Sequence, residues 1–133
     1  GLGMIAIGLC YLALARQGAR VAVIARIGSD DFGRMALDLW RQEGIATQHV
    51  DQAEGEGSGV AQILVYDGGD NSIAVYLGAG AALGEANVAA ARETIAAARV
   101  VMAPCEVSGT ATPSVGGRRG DGRLSPASAP GPA

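Results

Sequence analysis

The run Val21-Ala22-Val23-Ile24-Ala25 is followed by Gly28, by the acidic pair Asp30-Asp31, and then by a stretch of helical periodicity. A short apolar run rich in β-branched residues predicts a buried strand, which Gly28 ends. Asp30 and Asp31 carry side-chain oxygens able to cap the helix that follows. Phe32, Met35, Ala36, Leu39 and Trp40 form one apolar stripe, with Arg34, Asp38 and Arg41 opposite, and Gly44 closes the helix. A buried strand leading directly into an amphipathic helix is the repeating unit of layered α/β folds.

The flanking segments extend the alternation. Ile5, Leu9, Leu12 and Arg16 fall at helical spacing before Gly18, so a helix is expected from about Ile5 to Gln17. Residues Val50 to Gly59 are polar and Gly-rich and read as a loop. Val60 to Tyr66 and Ser72 to Leu77 are strand-like, and Asp67-Gly68-Gly69-Asp70-Asn71 between them is a turn signal, so a β-hairpin is expected. Val88, Ala91, Ile95 and Ala98 give a third helical stripe, and Val100-Val101-Met102 reads as another buried strand. The expected fold class is α/β with a mainly parallel sheet. The hairpin is either an antiparallel edge or a flap projecting from that sheet.

Composition removes several functions. All 10 basic residues are Arg, so a Walker phosphate loop and Schiff-base chemistry are both out of reach. A net charge of −3 offers no basic stripe, and neither a nucleic-acid nor a membrane-surface partner is expected. Cys10 and Cys105 lack CxxC spacing, and His49 is the only histidine, so no metal site is expected. Two unpaired thiols in apolar contexts predict a reducing, cytoplasmic setting. Residues Gly1 to Ala15 are uncharged but too short for a membrane span, and they lack the basic start of a signal peptide. With no initiator Met, the chain reads as beginning inside a longer protein.

Composition also marks a boundary. Residues 107–133 hold four of the 5 prolines and few apolar side chains, which cannot offset the entropy of ordering. The expected organisation is therefore a folded body over 1–106 and a disordered tail over 107–133. The Pro/Gly/Arg/Ser-rich tail has the character of an out-of-frame translation of a GC-rich gene.

Three segments together resemble the ribokinase-like (PfkB-type) carbohydrate kinases. The first runs from Ala15-Arg16-Gln17-Gly18-Ala19 through the strand to Gly28-Ser29-Asp30-Asp31-Phe32-Gly33, where Gly18 and Gly28 keep the nine-residue separation of the family signature. The second is Ser58-Gly59-Val60-Ala61 through Asn71-Ser72-Ile73 to Gly78-Ala79, which looks like the family's lid hairpin. The third is Val100-Val101-Met102-Ala103-Pro104-Cys105-Glu106-Val107, similar to a family strand ending in Leu-Glu-Val-Pro. Together they cover roughly residues 12–108.

The resemblance implies a partial three-layer fold and phosphoryl transfer from ATP, with Mg²⁺, to a hydroxyl of ribose or a similar sugar or nucleoside. It places Ala61 and Ile73 against the sugar and Glu106 on its hydroxyls, and it implies a homodimer formed through the lid. A carboxylate at a strand end suits vicinal hydroxyls, and an apolar flap excludes water. The pattern also departs from the family. The sugar-binding Asn of the N-terminal motif would fall at Leu9, and Gly-Ala-Asn after the hairpin reads Gly78-Ala79-Gly80. The catalytic Gly-Ala-Gly-Asp has no counterpart, so no catalytic residue is assigned and the polypeptide is expected to be inactive alone.

Two alternatives stand beside this one. Gly1-Leu2-Gly3-Met4-Ile5-Ala6 matches a loose dinucleotide fingerprint and would make the chain an NAD(P)-binding piece of a dehydrogenase. Against it, Arg26 stands where that fold ends a strand in an acidic residue. The other alternative is a non-catalytic module whose hairpin edge recruits a partner.

Overall fold

The computed structural model describes residues 10–103, 117–118 and 124–125. Helix α1 is described over residues 10–16 and ends at Gly18, whose φ of +83° lets the chain reverse. Strand β1 (Ala22–Gly28), helix α2 (Asp31–Gln42) and strand β2 (Ala46–Ala53) follow. Strands β3 (Val60–Val65) and β4 (Asn71–Tyr76) form the hairpin. A 3-10 turn at Gly78–Ala82 leads to helices α3 (Glu85–Ala90) and α4 (Arg92–Ala97).

Strands β1 and β2 pair in parallel, with Ile24 beside His49, Ala25 beside Val50 and Arg26 beside Asp51. Side chains alternate across this sheet, so its two faces meet different layers. Val23, Ile27 and the half-buried Ala25 and Val50 face α1 and α2, where they pack with Leu37, Trp40 and Ile45. Ile24 faces the other way, onto Val88, Ala91 and Ile95 of the α3–α4 layer. The result is helix, sheet, helix: the α/β class with a parallel sheet that the alternation implied.

The structure corrects four expectations. The buried residues of α2 are Gly33, Leu37 and Trp40, whereas Phe32, Met35 and Leu39 are 58%, 66% and 40% exposed. The helix is rotated by roughly a quarter-turn from the expected stripe, at about 100° per residue. Gly33 explains the rotation. A Cβ there would lie 2.1 Å from the Gly28 carbonyl oxygen, so the helix comes closest to β1 at its one side chain of hydrogen, and Leu37 and Trp40 follow inward on that face.

Residues 50–53, expected as loop, belong to β2. This strand has little apolar alternation because both of its faces carry polar residues, His49 and Asp51 on one and Gln52 on the other, and the first two find partners. His49 Nε2 lies 2.8 Å from the Thr94 hydroxyl, and Asp51 accepts from Arg26. The third helical stripe is buried as expected at Val88, Ala91 and Ile95, but the helix breaks at Ala91 into α3 and α4. Residues 100–103 form no strand. Val101 packs on the Val88 cluster without a neighbouring ladder among the described residues. In the tail, Gly117–Arg118 (β5) and Leu124–Ser125 (β6) pair antiparallel, and the rest of 104–133 lies outside the described residues.

The hairpin forms where expected. Ala61 faces Val75 and Ile63 faces Ile73 across the ladder. Gly69, at φ +86°, makes the turn, and the Tyr66 hydroxyl donates to Ser72 Oγ at 2.9 Å. The hairpin is a sheet of its own and its apolar side chains remain largely exposed.

Candidate functional site

In an open parallel α/β sheet the loops at the carboxyl ends of the strands form the usual ligand crevice. In this protein β1 ends at Gly28, and the loop after β2 crosses that end before running into the hairpin. A Cβ on Gly28 would lie 2.3 Å from the Glu56 carbonyl oxygen and 2.5 Å from the Ser58 nitrogen, so the crossing is backbone against backbone.

Ser58 is the one buried polar residue among those described. The Gly28 N–H donates to its Oγ at 3.0 Å, and that hydroxyl donates to Asp30 Oδ1 at 2.6 Å. The Ser58 N–H donates to Asp30 Oδ2 at 2.8 Å, and the Gly33 N–H donates to Asp30 Oδ1 at 2.9 Å. Donation from the Ser58 hydroxyl, then from the Ser58 and Gly33 amides, holds the Asp30 carboxyl down at about 2. Asp30 therefore does more than cap α2, the role its sequence position suggested.

Arg26 forms a second polar junction on the opposite sheet face. Its Nε donates to Asp51 at 3.0 Å, its Nη1 and Nη2 donate to Glu56 at 3.2 and 3.1 Å, and Nη1 also reaches the Ala79 carbonyl at 3.3 Å. The hydrogen bonds to Glu56 and then to Asp51 raise the guanidinium above its ordinary range. One cation thus joins β1, β2, the loop before the hairpin and the turn after it. Neither Ser58 nor the Arg26 cluster was evident as a junction in the sequence. The available signals were a small polar residue bracketed by Gly57 and Gly59, and an Arg inside an otherwise apolar strand.

The hairpin stands on these junctions. Residues that pair directly across an antiparallel ladder share a face. Ala61, Ile63, Val65, Ile73 and Val75 therefore line one face, joined at the tip by Asn71. Ala61 and Ile73, the two expected contact residues, lie on that face in successive pairs, and both are half-buried. Glu106 lies outside the described residues.

No group of three or more His, Cys, Asp or Glu among the described residues is arranged to hold a metal ion. Arg26 is already engaged by two carboxylates, and the chain has no Lys.

Comparison with known proteins gives a consistent answer. Residues 11–108 match the profile of the pfkB family carbohydrate kinases. The chain is 31% identical over 98 residues to ribokinase of Mus musculus, covering 74% of this chain and 30% of that protein. It is 42% identical over 74 residues to ribokinase of Haemophilus influenzae, covering 56% of this chain and 24% of that protein. The solved structure of ribokinase from Giardia lamblia superposes with a TM-score of 0.58 at 30% identity, covering 65% of this chain and 26% of that one. The chain thus spans less than a third of the length of these relatives.

Proposed function

Because this chain belongs to the pfkB family of carbohydrate kinases, we propose that it forms the sugar-facing layer and lid of a kinase that phosphorylates a hydroxyl of ribose or a similar sugar or nucleoside. One observation carries the reading: a hairpin with a continuous apolar face is rooted at the carboxyl end of the parallel sheet. A polar substrate bound in that crevice needs a cover that excludes water, and an apolar flap is such a cover.

In this reading Ala61 and Ile73 lie against the carbon face of the sugar, and Glu106 accepts hydrogen bonds from adjacent hydroxyls. Ionised carboxylates accept without donating, which suits two neighbouring hydroxyl donors. In the same reading the work of this layer is to bind and orient the acceptor and to keep it dry. Phosphoryl transfer depends on positioning and on stabilising charge on the moving group. The 133-residue polypeptide contains no Gly-Ala-Gly-Asp, and so it is expected to bind sugar without turnover.

The hairpin also has a second face, carrying Val60, Leu64, Ala74 and Tyr76, and among the described residues both of its strand edges are open. Pairing of two hairpins would cover that surface, and a homodimer is part of the proposal. The exposed, unpaired thiol of Cys10 supports a cytoplasmic setting. No described helix is long and apolar enough to cross a membrane.

The test is calorimetric titration of the purified polypeptide with a panel of pentoses, hexoses and nucleosides, alongside a coupled ATP assay and NADH titration. Weak saturable sugar binding, abolished by Ile73→Asp and reduced by Glu106→Gln, with background turnover, is expected. Binding of NADH without any sugar would replace this reading with the dehydrogenase one.

A further inference from the structure

Four backbone segments meet at one point beside Ser58: the end of β1 at Gly28, the first turn of α2 at Gly33, the incoming root of the hairpin at Gly57 to Gly59, and its outgoing root at Gly78. A Cβ on Gly78, at φ +52°, would lie 2.3 Å from the Gly57 carbonyl oxygen, and one on Gly59 would lie 2.9 Å from the Leu77 carbonyl oxygen. The Ala79 N–H donates to the Gly57 carbonyl at 2.9 Å. Both roots are therefore pinned together, and the pinned pair is bonded to the body through Asp30. Beyond the roots, the described hydrogen bonds of residues 60–77 are made within the hairpin itself.

We infer that Asp30 and Ser58 are positioning residues that set the tilt of the hairpin over the sheet end, coupling it to the first turn of α2. The geometry divides the carboxylate between two tasks. Oδ1 takes the Gly33 amide of the helix together with the Ser58 hydroxyl, while Oδ2 takes only the Ser58 amide of the hairpin root. The second oxygen contributes nothing to capping, so a helix cap alone does not account for it. With so few other attachments, a hairpin released from Asp30 keeps its own ladder but loses its fixed angle. The functional meaning of that angle rests on the reading of the hairpin as a lid.

Trp40 is the only tryptophan and lies in the core of the body. It can serve as energy-transfer donor to an acceptor label on Gly68→Cys at the hairpin tip, where a Cβ meets nothing within 4 Å. Cys10→Ser and Cys105→Ser make the label unique. Asp30→Asn keeps an oxygen for the Gly33 amide but can turn an NH₂ toward the Ser58 amide. Ser58→Ala removes the hydroxyl, and Ser58→Thr restores it.

The expected result is a broadened Trp40-to-label distance distribution in Asp30→Asn and Ser58→Ala, and a parent-like one in Ser58→Thr. Hairpin-root amides should exchange about tenfold faster in Ser58→Ala, as for loss of a hydrogen bond to a charged group. A parent-like distribution in Ser58→Ala, whether or not its melting temperature falls, would reduce the pair to a helix cap and overturn the inference. A broadened distribution in Ser58→Thr would overturn it as well. Sugar titration of the same proteins separates the lid reading from this one: a latch-dependent tilt without sugar binding leaves the latch standing and removes the lid.

Discussion

Asp30 holds three hydrogen-bond donors, and its ionised form is the one they favour. Its carboxyl is lowered from an ordinary 3.8 to about 2 in the folded chain. A depressed carboxyl contributes stability that is complete above the unfolded value and is lost as pH falls through the folded one. The stability difference between the parent and Asp30→Asn should therefore be constant at neutral pH and shrink as pH falls from about 4 to 2. Urea titrations at a series of acidic pH values measure this, and a difference that persists unchanged at the lowest pH would show that Asp30 is not stabilised as an anion. Gly33 gives a steric counterpart. Its Cβ position is filled by backbone at 2.1 Å, so Gly33→Ala should cost about 1–3 kcal/mol through overpacking. A variant as stable as the parent would show that α2 can slide away from β1. At this scale the cap was legible in the sequence, since Asp before an amphipathic run is a local signal. Its bond to Ser58 was not, because 28 residues separate the partners.

Helix α2 and the hairpin are the two elements whose surfaces invite separate tests. Leu37 is 6% exposed and Met35 is 66% exposed. Leu37→Ala should cost about 2–4 kcal/mol, whereas Met35→Gln should stay within about 0.5 kcal/mol. Chemical denaturation of the two variants decides between the observed helix orientation and the one the apolar stripe predicted. The stripe held at Trp40, which is buried, and at Ala36, which packs against the core, but misled at Phe32, Met35 and Leu39, which are exposed. Gly33, invisible to any count of apolar residues, set the rotation. On the hairpin, Leu64 and Tyr76 are exposed on the second face, whose strand pairing is already complete. Leu64→Lys should leave the melting temperature nearly unchanged and reduce self-association. Sedimentation velocity measures this, and association of undiminished strength would place the contact elsewhere.

For the molecule as a whole, the parallel sheet has two strands among the described residues, and the hairpin is attached mainly by its roots. Among the described residues apolar core side chains are few, and no large side chain is fully buried. Open strand edges beside apolar groups favour association. The polypeptide is therefore expected to melt broadly, with an apparent midpoint that rises with concentration, as measured by circular dichroism and light scattering together. A sharp, reversible, concentration-independent melt of a monomer would mean that these 133 residues are self-sufficient.

Local chemistry in the sequence was enough to determine the β1–α2 unit, the hairpin with its Asp67-to-Asn71 turn, the buried stripe at Val88, Ala91 and Ile95, and the carbohydrate-kinase family. Each of these depends on residues near one another in the chain: a period, a cap, a turn or a motif. Only the tertiary structure decided that residues 46–53 are a strand, that α2 turns Leu37 rather than Met35 inward, and that Ser58 and Arg26 tie the hairpin to the sheet. Strand β2 exists because β1 supplies its ladder and because Arg26 and Thr94 satisfy its Asp51 and His49. The hairpin root exists because glycines at 28, 33, 59 and 78 let distant backbones come within contact of one another. Such pairings gain their free energy from partners far along the chain, and a local pattern carries no record of them.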